Sequence, residues 1–246
     1  MLLPPPVGRV LVGVARTDDP RIVNRLDAYR AYLPEDEAAR MRRFFQPADA
    51  TRFLVGRALA RTMLSRHAAV RPRDWPFLID EHGRPVLAFT PPGAPDLRFN
   101  VSHTEGLVAC AVTGGREVGV DVEYTGRRLL HDVPERFFSP REVQDLRARP
   151  VEDKDVVFFD YWTLKESYIK ARGLGLKLPL RHFSFLLHGP TPAIAFDSEL
   201  HDLPETWQFA QFWPTDRHRM AVAVRREGDD LPIDVDDTVP DAEPGA

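Results

Sequence analysis

Apolar and polar positions change their period several times along this chain, and each change marks an element. Alternation with β-branched residues over Gly8–Val14 predicts a strand, and the stretch from Pro20 to Tyr32 is spaced for a helix. Helical spacing returns over Glu35–Phe45, breaks at Pro47, and resumes behind an Asp49 cap through Ala50–His67. In that long helix Phe53, Leu54, Ala58, Leu59, Met63 and Leu64 are expected to face inward, and Arg52, Arg57 and Arg61 outward. Period-two patterning then predicts a hairpin, Pro76–Asp80 with Pro85–Phe89. Two strands follow, Leu97–Val101 and Leu107–Val112, joined by the loop Ser102–Gly106.

From Gly115 the order repeats. Gly115–Val122 matches the first strand in character, and Arg136-Phe137-Phe138-Ser139-Pro140 echoes Arg43-Phe44-Phe45-Gln46-Pro47. A long helix from Asp155 to Arg172, closed by Gly173, corresponds to the one at 50–67. A hairpin, Phe183–Leu187 with Ala193–Phe196, and two strands, Trp207–Trp213 and Met220–Val224, complete the second round. The expected fold class is α+β, a pseudo-dimer of two similar halves, 1–113 and 114–226. Each half would be an antiparallel sheet packed with a long helix, the two related by a pseudo-twofold axis with a cleft between them.

Charge separates a third segment. The 246 residues hold 33 basic and 37 acidic side chains, and eight of the acids lie from Glu227 onward, where Lys and Arg are absent. Residues 1–226 therefore carry a net +4, a field suited to an anionic ligand or an acidic partner, while 227–246 reads as an acidic, disordered tail. No apolar run reaches the roughly 20 residues of a membrane span. The start of the chain lacks a secretory pattern, so the expectation is a cytoplasmic monomer with no membrane or nucleic-acid partner. The single cysteine, Cys110, sits in the apolar run Leu107–Val112 and reads as core.

Two stretches concentrate chemistry. In Val118-Gly119-Val120-Asp121-Val122-Glu123 the strand period puts the valines on one face and both carboxylates on the other, a placement that repels unless a cation lies between them. Oxygen donors of this kind suit Mg²⁺, with Mn²⁺ as second choice. In Trp162-Thr163-Leu164-Lys165-Glu166-Ser167-Tyr168-Ile169-Lys170 the helical spacing lines up Trp162, Glu166 and Lys170. Donors for a phosphate-bearing ligand come from the helices around Arg40 and Arg52, the turn Gly83-Arg84-Pro85 and the loop Asn100–His103. Such a set serves phosphoryl transfer, which needs a base, a divalent ion bridging phosphate oxygens and an ammonium at the leaving side. A nuclease of the Asp…Glu-x-Lys kind is disfavoured, because Thr125 holds the place of its Lys. A non-catalytic carrier-protein or nucleotide-binding module would not require the complete acidic set.

Together, Phe99–His103, Val118–Glu123, Arg136–Ser139 and Trp162–Lys170, with Gly173-Leu174-Gly175-Leu176 after them, resemble the 4′-phosphopantetheinyl transferases of the surfactin type. The resemblance runs from about Arg40 to Val224. It implies a pseudo-dimeric monomer that moves the 4′-phosphopantetheine arm of coenzyme A onto a serine of an apo acyl or peptidyl carrier protein, releasing adenosine 3′,5′-bisphosphate. By position it implies Asp121, Glu123 and Glu166 as Mg²⁺ ligands and Lys165 and Lys170 as contacts to coenzyme phosphates. Ser102 and His103 would touch the coenzyme, Gly83, Arg84 and Pro85 its adenine region, and Arg40 and Arg52 its 3′-phosphate. Glu37 stands where the family often has a basic residue. Glu166, or a water polarised by the ion, would act as base, and Lys170 would meet the leaving phosphate. Leu129 and Leu130 are candidate carrier contacts.

Overall fold

Alternate valines make the first strand, β1 (Val10–Arg16), which buries Val10, Val12 and Val14. The structure, a computed structural model, describes residues 3–4, 6–127, 133–175 and 178–241, so Leu129, Leu130 and Leu176 lie outside it. It is a mixed α+β chain in two units, one of Met1–Arg116 together with the segment from Pro232, the other of Glu117–Leu231. No described helix is long and apolar enough to cross a membrane.

The first unit continues through α1 (Pro20–Val23), α2 (Leu26–Arg30), α3 (Glu35–Arg42) and the 19-residue α4 (Pro47–Ser65). The strands β2 (Phe77–Ile79), β3 (Pro85–Leu87), β4 (Leu97–Thr104) and β5 (Leu107–Gly114) follow. The single helix expected over Pro20–Tyr32 is two short ones, because Asn24 and Arg25 close the first. Pro47 opens α4 rather than breaking a helix, since its missing N–H is one that a first turn leaves unbonded anyway. Asp49 therefore lies inside the first turn and is not the cap. Arg57 and Arg61, expected on the outer face, are buried at 6% and 0% exposure. Glu37, reaching across from α3, supplies their counter-charge at 3.0 and 3.1 Å. β4 runs on through Ser102 and His103, which are strand residues and not a loop.

The second unit holds β6 (Val118–Tyr124), α5 (Val133–Phe137), α6 (Pro140–Ala148), the 19-residue α7 (Lys154–Arg172), β7 (Phe183–Leu186), β8 (Ala193–Phe196), β9 (Trp207–Thr215) and β10 (His218–Arg225). Its sheet is antiparallel in the order β6-β10-β9, with β7–β8 a separate hairpin. Gly173 ends α7 in the left-handed conformation at φ 69°, its N–H bonded to Ile169 O at 3.0 Å. Aromatic packing centres on Tyr168, whose ring meets Phe183, Phe196, Trp207 and Phe209.

The expectation of a disordered tail from Glu227 is corrected. Residues Ile233–Asp237 form β11, which pairs in parallel with β1 and completes the first unit's sheet in the order β11-β1-β5-β4. Ile233 and Val235 alternate with the acids, a strand pattern that the acidic composition conceals, and Arg9 and Arg21 meet Asp234 and Asp237 at 3.3 and 2.8 Å. Beyond the strand, Thr238 is buried, Tyr29 Oη donates to Pro240 O at 2.9 Å, and Thr62 Oγ1 accepts from Asp241 N at 3.0 Å. The unit boundaries therefore fall after Arg116 and Leu231 rather than after 113 and 226, and the segment from Pro232 returns to the first unit. Truncation after Leu231 should leave the first unit without a cooperative thermal transition, because the β1 edge is opened and the buried contacts of Thr238 and of Tyr29 Oη with Pro240 O are lost. A truncated protein melting within about 3 °C of the full chain would contradict this.

Candidate active site

Helix α7 lies directly on β6, and a glycine permits it. A Cβ built on Gly119 would stand 2.0 Å from Ser167 O and 2.5 Å from Ala171 N, so no larger residue fits beneath the helix backbone. This contact orients both elements. Between Tyr161 and Ala171, the residues left half-open are Trp162, Glu166 and Lys170, the stripe expected from helical spacing. β6 presents Asp121 and Glu123 to that stripe. Lys170 Nζ donates to Asp121 Oδ1 at 2.6 Å, and Trp162 Nε1 donates to Glu123 Oε1 at 2.9 Å. Trp162 is itself held by Phe158, stacked at 5.9 Å, and by the edge-on Phe137 at 5.8 Å.

Negative charge exceeds positive charge here. Burial, then the Asp121 charge, pushes the Glu166 carboxyl up to about 7, with Lys170 opposing and Glu123 adding to the rise. Burial and Asp121 likewise raise Glu123, against Arg127 at 3.2 Å, the Trp162 N–H and Lys170. Among the described residues no three acidic, histidine or cysteine side chains are drawn into a finished metal cage, and the cation against Asp121 is the Lys170 ammonium. By donor chemistry the three carboxylates nonetheless suit a hard divalent cation: all are oxygen donors, and they bring more negative charge to one place than Lys170 offsets.

Lys165 is elsewhere. Its side chain is 1% exposed, and Nζ lies 2.8 Å from Glu142 Oε2 and donates to Leu180 O at 2.7 Å and Phe183 O at 2.8 Å, above the Phe183 ring. Burial lowers it to about 8 against the raising effect of Glu142. The expectation that Lys165 faces coenzyme phosphates is therefore corrected, since all three of its N–H donors are committed inside the second unit. Sequence reasoning missed Glu142. Its signal was the Ser139-Pro140-Arg141-Glu142 capping box, in which Ser139 Oγ accepts from Glu142 N and Glu142 Oε2 accepts from Ser139 N.

The remaining predicted residues belong to the first unit and are spread over four elements. Arg40 on α3 is half-exposed, its guanidinium 5.7 Å from the Phe53 ring centre. Arg52 on α4 is paired with Asp49. In the β2–β3 turn Asp80 Oδ1 accepts from His82 N and Arg84 N, both at 2.9 Å, and Arg84 Nη2 sits 2.7 Å from Asp80 Oδ2. Gly83 supplies the turn's φ of 81°, and Pro85 starts β3. Ser102 is buried and His103 exposed, as consecutive strand residues on opposite faces of β4 must be. The structure thus brings Asp121, Glu123, Trp162, Glu166 and Lys170 together, and does not bring Ser102 and His103 onto one face.

Comparison with known proteins divides where the two units divide. The family model for the 4′-phosphopantetheinyl transferase superfamily matches residues 117–223, and that for the 4′-phosphopantetheinyl transferase N-terminal region matches residues 22–114. The 4′-phosphopantetheinyl transferase HetI of Nostoc sp. is 37% identical over 204 residues, 82% of this chain and 82% of its own. The 4′-phosphopantetheinyl transferase Sfp of Bacillus subtilis is 34% identical over 171 residues, 70% of this chain and 74% of its own. The solved Thermotoga maritima holo-[acyl-carrier-protein] synthase aligns with a TM-score of 0.37 and 22% identity, over 45% of this chain and 63% of that one.

Proposed function

Because the chain belongs to the 4′-phosphopantetheinyl transferase superfamily, we propose that it transfers the 4′-phosphopantetheine arm of coenzyme A to a serine of an apo acyl or peptidyl carrier protein, releasing adenosine 3′,5′-bisphosphate. The observation that carries the reading is the half-open stripe of Trp162, Glu166 and Lys170 over Asp121 and Glu123. Glu166 in its ionised form takes the serine proton. The serine Oγ forms the new bond to phosphorus as the phosphoanhydride bond to the departing bisphosphate breaks, and Lys170 meets the charge that grows there. Asp121, Glu123 and Glu166 would hold Mg²⁺, or Mn²⁺ in its place, which when bound neutralises phosphate oxygens. In the same reading Arg40 and Arg52 take the 3′-phosphate, Arg84 in its Gly83-Arg84-Pro85 turn the adenine region, and Ser102 and His103 other parts of the coenzyme. A pseudo-dimeric, cytoplasmic monomer completes it; the pseudo-dimer is supported by the recurrence of a 19-residue helix beside a sheet in each unit, although the expected all-antiparallel sheet is found only in the second, β11 being parallel to β1 in the first.

The test is incubation with coenzyme A, Mg²⁺ and apo carrier proteins, read by mass spectrometry. One phosphopantetheine per carrier is expected, with Asp121→Ala slower by about 10²-fold or more; no gain on several carriers, or full activity in the variant, would sink the reading. A pH dependence accompanies it. Glu166 in the folded protein holds its proton above the 4.5 of the free side chain, so its protonated form adds stability at low pH that is lost as pH rises through about 7. The ion must displace that proton in competition with Lys170 and beside Asp121, Glu123 and Arg127. Mg²⁺ should therefore raise the melting temperature more at about pH 8 than at about pH 6. Equal shifts at both would contradict this.

A further inference from the structure

A fully buried carboxylate joins three elements of the second unit. Glu142 Oε1 accepts from Phe185 N of β7 at 2.8 Å, while Oε2 accepts from Ser139 N at the start of α6 and meets Lys165 Nζ of α7, both at 2.8 Å. Ser184 Oγ adds a contact to Ser139 Oγ at 2.7 Å. Both partners of the ion pair are essentially inaccessible, at 1% and 0% of their side-chain surface. A pair this buried contributes little net stability, because desolvating two charges offsets most of their attraction and apolar side chains of similar size would serve as well. What it supplies is direction. An apolar contact tolerates rotation of a helix, whereas an ammonium held by a carboxylate and two fixed carbonyls satisfies its donors in one orientation.

We propose that the Glu142–Lys165 pair is a positioning device that sets the axial rotation of α7 and thereby holds Glu166 against Asp121 and Glu123. Lys165 precedes Glu166 by one residue, about 100° around the helix, so fixing one fixes the other. A carboxylate some 7 Å from the helix axis moves by about 2 Å for a 20° turn. Misplacement of about 1 Å at a reacting group can cost about 10²-fold in rate. Gly119 sets how closely α7 approaches β6, and the ion pair sets which residues it then presents.

The deciding variant is the double replacement Glu142→Gln with Lys165→Met, which removes both charges and leaves neither alone. Melting temperature, kcat and KM for coenzyme A are measured, together with Mn²⁺ titration of the substrate-free protein; that last readout rests on the metal reading of the three acids. A variant melting within about 5 °C of wild type, with kcat down about 10²-fold, KM little changed and Mn²⁺ affinity reduced, is the expected result. A folded variant with wild-type kcat and wild-type Mn²⁺ affinity would make the pair structural only and overturn the proposal. If wild-type protein binds no Mn²⁺, the metal reading fails, and the comparison of kcat with melting temperature alone decides the role of the pair. Should the double variant not fold, Ser139→Ala loosens the Glu142 end without changing charge. It is expected to lower kcat several-fold at unchanged KM, and unchanged kcat would overturn the proposal.

Discussion

Gly119→Ala should all but abolish transfer. The added methyl would lie 2.0 Å from Ser167 O, and because the obstructing atoms are helix backbone, no rotamer change can relieve the clash. α7 would have to withdraw from β6 by about 1 Å or more, carrying Glu166 and Lys170 away from Asp121 and Glu123. A fall in kcat of about 10²-fold or greater is expected, with about 1–3 kcal/mol lost from overpacking. Near wild-type kcat in a folded variant would show that the site does not depend on this close approach.

A comparable effect on stability is expected from Glu37→Ala. Glu37, itself 4% exposed, is flanked by Arg57 Nε at 3.0 Å and Arg61 Nη2 at 3.1 Å. Burial lowers Arg57 to about 10, with the Glu37 charge opposing the fall, and lowers Arg61 as well. The rings of Phe53 and Phe77 take up the guanidinium faces, at 5.0 Å for Arg57 and 4.2 Å for Arg61. Removing the carboxylate leaves two buried cations facing each other, a loss of about 3–5 kcal/mol, or roughly 6–20 °C in melting temperature. Calorimetry on the full chain reads it directly, and a shift under about 3 °C would mean that water reaches the arginines. At this position the chain neutralises two arginines of its own core.

The legible part of the site was the part that periodicity governs. A spacing of four put Trp162, Glu166 and Lys170 on one face, a spacing of two put Asp121 and Glu123 on another, and the structure brings those faces together. Lys165 was misread because helical spacing states its angle from Glu166 but not what waits at that angle, which is a carboxylate from α6 and two carbonyls near β7. Arg57 and Arg61 failed in the same way, since an outward reading of an arginine holds only if no other element brings it a counter-charge. Ser102 and His103 read as a turn because the strand continues through polar residues. β11 was lost to composition, as two apolar residues among acids are too short a pattern to outweigh the charge around them.

That last strand imposes an order on synthesis. β11 lies more than two hundred residues beyond β1, and the whole second unit, Glu117–Leu231, intervenes as a contiguous segment. On a ribosome the second unit can close on itself as it emerges, whereas the first must wait with one edge of β1 open until residue 237 is made. At ordinary elongation rates the interval is on the order of 10 s. The first half to be made is thus the last to be finished, and a stall or premature release within that interval would yield a folded second unit beside a first unit with an exposed, aggregation-prone edge.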